Sequence, residues 1–336
     1  MDPQALMPLQ RHSSKCTWQM ACGFACLLLS FASMAFAYPS LNVHKADIRT
    51  LEFACSRQED HVPQPAEKAE TLFQQAYQAH VKATAGEETN VPLLREAVQG
   101  YRQAAEAGHW KAIRNLANLY STGTGSNGVI KVNQGKAVDY VKKLMEMNVA
   151  TGYNLMAAFA NQGWGMRRDP KAALVYERRA ADLGDKLAQR HLGNLLYLEL
   201  ARDLPAPEKQ QVRDVALKML ACAVRQGDRE AAFDLASNYV TLEKNYPFAL
   251  FYYQQGGKMG DATSLFVLYE WFKEGKFGYA RDLKRAERYN HYSDRADLNQ
   301  GPFLELDKEL PLPLSPDGGS YPPPEMGWPN AWTSKR

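Results

Sequence analysis

Several short patterns in this sequence have residue types that could do chemistry. Gly123-Thr124-Gly125-Ser126-Asn127-Gly128 has the spacing of a dinucleotide phosphate loop, in which glycines bring backbone amides close to a pyrophosphate. That chemistry needs a strand before the loop and a helix start after it. Here a stretch of helical periodicity precedes it, so the segment is read as a loop between helices. His109-Trp110-Lys111 opens the His-x-Lys-x-x-x-x-Asp pattern of phospholipases, but Leu116 stands where the aspartate belongs and no second copy exists. The seven histidines never fall at a metal-binding spacing, and no Ser-x-x-Lys nucleophile signature occurs. No catalytic, cofactor or metal residue is therefore assigned, and the scattered carboxylates read as solvated helix faces.

The bulk numbers narrow the class further. Charged residues make up 23% of the 336 positions and hydrophobic ones 45%, a globular composition. The net charge of +3 lacks the concentrated basic excess of a nucleic-acid reader. Near the start, Arg11 and Lys15 precede a charge-free run whose apolar middle ends at Ala35-Phe36-Ala37. A positive n-region, an apolar stretch and a small-x-small exit describe a secretory signal cleaved between Ala37 and Tyr38. An uncleaved membrane anchor is the alternative, since the run is long enough to span a bilayer. Either reading puts the rest of the chain outside the cytoplasm, as a periplasmic or inner-membrane-anchored protein. Beyond the signal, Cys55 and Cys222 remain. They could form a disulfide in an oxidising compartment, but Cys222 lies on a helical repeat and a simple packed thiol is the preferred reading.

What would position any function is a repeat. Take Gly108 as zero: Ala97, Ala104 and Ala105 precede it, and Ala112, Leu116, Ala117 and Tyr120 follow. The same register recurs around Gly184, Gly227 and Gly260, and more weakly around Asn148. Small residues at three- and four-residue steps share one helix face and let two backbones approach. The zero residue follows a helix where a left-handed conformation is wanted. Each unit is then helix A, a tight turn, helix B. A further A helix near Asp282 closes the array, with Asp297 at its zero position, and Ala69, Leu72, Phe73 and Ala76 fit an A helix that opens it.

The expectation is an all-α protein, an α/α solenoid of helix-turn-helix repeats. Residues 1–37 form the signal or anchor, 38–65 an extended lead-in and 66–92 an N-terminal helix. Residues 93–297 hold five helix pairs and a closing helix. Residues 298–336 form a Pro-rich tail, whose Trp328 and Trp332 argue for a strap laid on the array.

In stacked helix pairs the A helices line one broad face suited to binding. The register points Arg102, Lys143, Arg178, Arg179, Gln255 and Arg288 away from the core, with Tyr140, Tyr176, Tyr252 and Tyr289 eight residues before the zero position. Tyr and Arg are what interface hot spots use. Packing between A helices, and cations offsetting helix dipoles, account for the same pattern.

The Ala-Ala-x-x-Gly turns resemble the Sel-one-like repeat family, relatives of tetratricopeptide repeats, over Leu94 to Asp297. Asn148 and the long segment Leu200 to Gln211 depart from that pattern. More narrowly the chain resembles periplasmic Sel-like immunity proteins of type VI secretion phospholipase effectors. That likeness rests on the signal, Phe53-Ala54-Cys55, Pro63, Pro65, the helix at Ala69 to His80 and the Pro-rich end. The resemblance implies a non-enzymatic protein that binds and neutralises a phospholipase or lipase toxin, without nucleic acid or cofactor. A scaffold or regulatory adaptor of an envelope complex is the alternative.

Overall fold

The structure is a computed structural model that describes residues 52–86, 88–124, 128–323 and 326–327. The signal segment 1–37 with its Ala37–Tyr38 junction, the middle of the glycine-rich loop, and Trp328 and Trp332 lie outside the described residues. Regular structure among the described residues is helical throughout. After a 3-10 turn at Gln58–Asp60 comes α1 (Glu67–Thr84). The A–B pairs are α2 (Val91–Glu106) with α3 (Trp110–Thr122), α4 (Gln134–Glu146) with α5 (Ala150–Gln162), and α6 (Pro170–Asp182) with α7 (Lys186–Leu195). They continue as α8 (Ala206–Arg225) with α9 (Arg229–Asn238) and α10 (Tyr246–Lys258) with α11 (Ala262–Glu274). Then come the closing helix α12 (Leu283–Asp297) and one short turn, α13 (Leu306–Glu309). Each helix packs on the next, which is the order of an α/α solenoid. None of the described helices is long and apolar enough to cross a membrane.

The turns follow from the residues at zero. Gly108, Asn148, Gly184, Gly227 and Gly260 all have φ between +56° and +91°. At each, the zero amide donates to the carbonyl three residues back and the next amide reaches five back, as in Gly184 to Ala181 and Asp185 to Ala180. These paired bonds satisfy the orphan carbonyls of helix A. The residue after the turn then caps helix B: His109, Asp185, Asp228 and Asp261 each accept the amide three positions on. Asn90, Asn133, Asp169, Asn245 and Asp282 do the same for A helices. Each such cap contributes about 1 kcal/mol. In the closing helix the left-handed residue is Asn299 (φ 56°), two places beyond the expected Asp297.

A second recurring bond corrects the register of the opening helix. The N-cap amide of an A helix donates to the preceding B helix: Asn133 to Tyr120, Asp169 to Ala160, Asn245 to Tyr239, and Asp282 to Phe272. Asn90 donates to Ala83 of α1 in the same way, at 2.9 Å. α1 therefore holds the place of a B helix, not of the expected A helix, and it ends at Thr84 where residues 66–92 were expected to be helical. The α7–α8 join is the exception. There Pro205, with no amide to donate, takes the N-cap position after a π-helical turn at Leu196–Leu200. Most of Leu200 to Gln211, expected as a long connection, is helix.

Both flanking segments are laid on the array. Val62 packs on the cluster of Trp110, Ile113, Leu144 and Val149 between the first two pairs. Running back toward the N-terminus, the buried Gln58 accepts both the amide and the hydroxyl of Thr151 through Oε1 at 2.7 Å. Ser56 O accepts from Gln189 and Gln226 at 3.1 and 3.2 Å. Cys55 is disulfide-bonded to Cys222 on α8, with a Cα–Cα distance of 5.5 Å. This replaces the packed thiol: Cys222 is fully buried because the lead-in covers it. The strap thus crosses from the fourth A–B turn to the first.

Where it crosses Gly184, a Cβ would stand 2.3 Å from the Arg57 carbonyl carbon. Gly108 also has positive φ, yet a Cβ there would meet nothing within 4 Å. Gly108→Ala should therefore cost only the left-handed penalty of about 1 kcal/mol. Gly184→Ala should cost about 1–3 kcal/mol more, by lifting the strap. Denaturant titration of both variants, with proteolysis of residues 52–62, checks the difference; equal losses would mean that the strap does not bear on Gly184.

Candidate partner-binding face

The A-helix face was read as a binding face from Arg102 to Tyr289, and the structure divides it. Over α10 and α12 it is occupied by the tail. The Phe303 amide donates to Lys258 O at 2.7 Å, and Leu306 and Leu310 are buried in the terminal core with Phe303. Asp307 receives Lys258 Nζ at 2.7 Å and Gln254 Nε2 at 2.9 Å. Glu309 receives Arg288 Nη2 at 2.9 Å and the Tyr292 hydroxyl at 2.7 Å, while Arg285 donates to Pro311 O. Further on, Tyr321 meets the Tyr279 hydroxyl at 3.1 Å, and the backbone at Gly327 closes on Gln255 and Phe251.

Tyr252, Gln255 and Tyr289, expected to face a partner, are buried, and Arg288 is engaged by the tail. At Gln255 and Arg288 the chain's own end is the cover. The tyrosines have another reason to be packed. Tyr140 stacks on Tyr120, Tyr252 on Tyr239 and Tyr289 on Phe272, with centroids 5.7, 5.9 and 5.8 Å apart and planes within 12°. In each case the A-helix ring lies on the last turn of the B helix before it. These are staples between repeats, each contributing about 1 kcal/mol beyond its buried area.

Among the described residues, the part of the face that the tail leaves uncovered spans α2, α4 and α6, with the lead-in reaching Arg178 on α6. Arg102, Tyr140 and Tyr176 are half-buried there, and Lys142, Lys143 and Arg179 are exposed. Arg102 donates to the Tyr120 hydroxyl at 3.3 Å, beside the Tyr120–Tyr140 stack. Lys143 Nζ lies 5.5 Å from the Tyr140 ring, and the Arg179 guanidinium 5.9 Å from the Tyr153 ring. Arg178 bonds Asp182 through Nε at 3.0 Å and also donates to the lead-in carbonyl of Glu52. Glu106, Asp139 and Glu146 are exposed on the same face, so the patch is mixed with a positive lean.

Beneath this patch is a group not singled out among the carboxylates. Glu177 is buried on α6, 3.8 Å from His191 Nδ1, and burial, reinforced by the nearby Asp185 charge, pushes its carboxyl up to about 7. Asp185 is itself shifted upward by burial, although it accepts from Thr151, Asn154 and the Ala188 amide. Burial lowers His191. The sequence did carry a signal for Glu177. Seven residues before each zero position stand Tyr101, Val141, Leu220 and Tyr253, all buried, and Glu177 is the carboxylate in that apolar column. The histidine of the His-x-Lys pattern is also placed: His109 caps α3, bonds Glu70 at 2.9 Å and stacks on Phe73 at 4.2 Å. Among the described residues no group of three or more His, Cys, Asp or Glu is disposed to hold a metal ion.

No family model matches the chain. Solved structures do. The immunity protein PA5088 from Pseudomonas aeruginosa is 27% identical with a TM-score of 0.60, covering 80% of this chain and 96% of its own. The immunity protein Pa5087 from Pseudomonas aeruginosa is 28% identical with a TM-score of 0.56, covering 79% of this chain and 96% of its own. A Sel1 repeat protein from Oxalobacter formigenes, 22% identical with a TM-score of 0.53, covers 68% of this chain and 88% of its own and shares the fold. The chain is thus an α/α solenoid of Sel-like helix-turn-helix repeats, similar over about four-fifths of its length to immunity proteins of Pseudomonas aeruginosa.

Proposed function

We propose that the chain is an immunity protein that binds and blocks a protein toxin in the periplasm, and that the toxin is a phospholipase or lipase delivered by type VI secretion. The observation that carries this reading is the likeness to two immunity proteins, nearly end to end for both of them. The face fits the role: a rigid helical surface with Arg, Lys and Tyr side chains, and a disulfide suited to an oxidising compartment. The helix-turn-helix scaffold supplies pre-organisation, which lowers the ordering cost of binding. The phospholipase class and the secretion route come from the lead-in and tail features that the sequence shares with such immunity proteins. Co-expression of the exported chain with a phospholipase toxin of this class tests the proposal. The expected result is a co-eluting complex and suppressed lipid hydrolysis. Absence of a complex at ~10 μM, about 7 kcal/mol of binding free energy, would overturn it.

A further inference from the structure

The terminal repeats contain a carboxylate site that the chain fills itself. Asp307, in the short helix α13, receives Lys258 Nζ at 2.7 Å and Gln254 Nε2 at 2.9 Å, and the Tyr289 hydroxyl donates to Gln254 Oε1 at 2.6 Å. These groups have fixed places in the repeat. Lys258 and Gln254 stand two and six residues before the zero Gly260, and Tyr289 stands eight before Asp297 of the closing helix. A cation, an amide and a tyrosine from two successive A helices thus converge on one acidic side chain.

The step before it, between α8 and α10, has two of the three groups. Arg225 stands where Lys258 does and Tyr252 where Tyr289 does, while Ala221 takes the place of Gln254. Two residues before zero, the first three A helices carry Glu106, Glu146 and Asp182, and the last three carry Arg225, Lys258 and Arg295. The tail meets the second of these cations through Asp307, and the third through Gln300 and the Phe303 ring. Among the described residues Arg225 forms no ion pair, and its Nε is buried without an acceptor, as is the Tyr252 hydroxyl. Burial and the neighbouring Tyr239 push that hydroxyl upward, and the Arg225 charge opposes them. Buried donors without an acceptor are costly, and folded chains keep few of them.

We infer that Arg225 and Tyr252 form a second carboxylate site, filled by an aspartate or glutamate side chain of the partner protein. This rests on the protein-binding reading above and names one contact that it uses. Arg225 is half-buried, so its guanidinium is the group that an incoming acid meets first. Tyr252 is fully buried, so the acid reaches its hydroxyl only as Arg225 turns to bind, and the two bonds form together. With Ala221 in place of Gln254, the acid itself takes the bond that Tyr289 gives to the amide.

The test uses the full chain, the phospholipase toxin and acetate as the simplest carboxylate. Arg225→Met and Tyr252→Phe each remove a donor that the free chain leaves unsatisfied, so both should melt at or above the wild type. Both should nonetheless bind the toxin at least tenfold more weakly, because the bond is made only in the complex. Lys258→Met, which strands Asp307, should melt lower. Lower melting of Arg225→Met and Tyr252→Phe, or toxin bound by them as tightly as by the wild type, overturns the inference and leaves the protein-binding reading standing. Acetate separates the two readings. It should raise the melting temperature of the wild type above that in chloride at equal ionic strength, and should not do so for Arg225→Met. That result with no toxin bound by any form overturns the protein-binding reading alone. The same response to acetate in both forms overturns the site.

Discussion

Replacing Cys55 and Cys222 with serine and alanine is expected to lower stability by about 3–5 kcal/mol and the melting temperature by ~5–10 °C. The bond closes a loop with a sequence separation of 167 residues, long enough for a large loss of unfolded-state entropy on the chain-entropy account. The lead-in also has little else to hold it. Its described residues upstream of Gln58, 52–57, form no regular structure, and their bonds to Gln189, Gln226 and Arg178 are those of one extended strand. Without the disulfide this strand must be ordered anew at about 1–2 kcal/mol per residue, and it should lift before the helices melt. Thermal unfolding with and without reductant measures the first effect, and hydrogen exchange at residues 52–62 the second. A reduced protein that melts with the oxidised one, its lead-in still protected, would show that the strap needs no covalent anchor.

Glu177→Gln is expected to act in the opposite direction, with its gain on wild type accumulating between about pH 4.5 and pH 7. The folded Glu177 carboxyl has its pKa pushed up to about 7 from the ordinary 4.5, so the folded chain takes up a proton that the unfolded chain has released. Its stabilising contribution is complete below about pH 4.5 and is lost as pH rises through about 7. The shift corresponds to about 3 kcal/mol. Glutamine keeps the shape and removes the titration, so the variant should gain about 3 kcal/mol on wild type between pH 4.5 and pH 8. His80 and His109, both lowered by burial, slope the other way but are common to both proteins and cancel in the difference. Denaturant titrations at pH 4.5 and pH 8 give the answer; a difference that does not change with pH would place the Glu177 carboxyl in water. The position is informative because it breaks the pattern of its own column. A carboxylate stands where the other repeats place Tyr101, Val141, Leu220 and Tyr253.

The five turns were legible because a left-handed residue after an alanine-rich helix is a local requirement, and Gly108 or Asn148 meets it without help from distant chain. The type of α1 was harder. Ala69 and Phe73 suit either helix, and what decides is a backbone bond, Asn90 to Ala83, to which any residue could contribute. The face was half legible. Register says that Gln255 and Arg288 point away from the core, but not that the tail returns to lie on them. Extended segments carry no period, so neither strap announces its path. Cys55 and Cys222 were visible as a pair, and only the path of the lead-in brings them together.

That path has a consequence for how such a protein can vary. Helical arrays commonly lengthen or shorten by duplicating a unit, since each layer touches only its neighbours. Between Val62 on the first layers and Cys55 on the fourth pair, this chain has a tether of seven residue steps, reaching about 24 Å when fully drawn out. A further unit inserted beneath it would widen the span by roughly another helix diameter of ~10 Å and leave the tether short. Copy number is therefore fixed under the strap, and the array can gain or lose layers only where nothing ties one layer to a distant one.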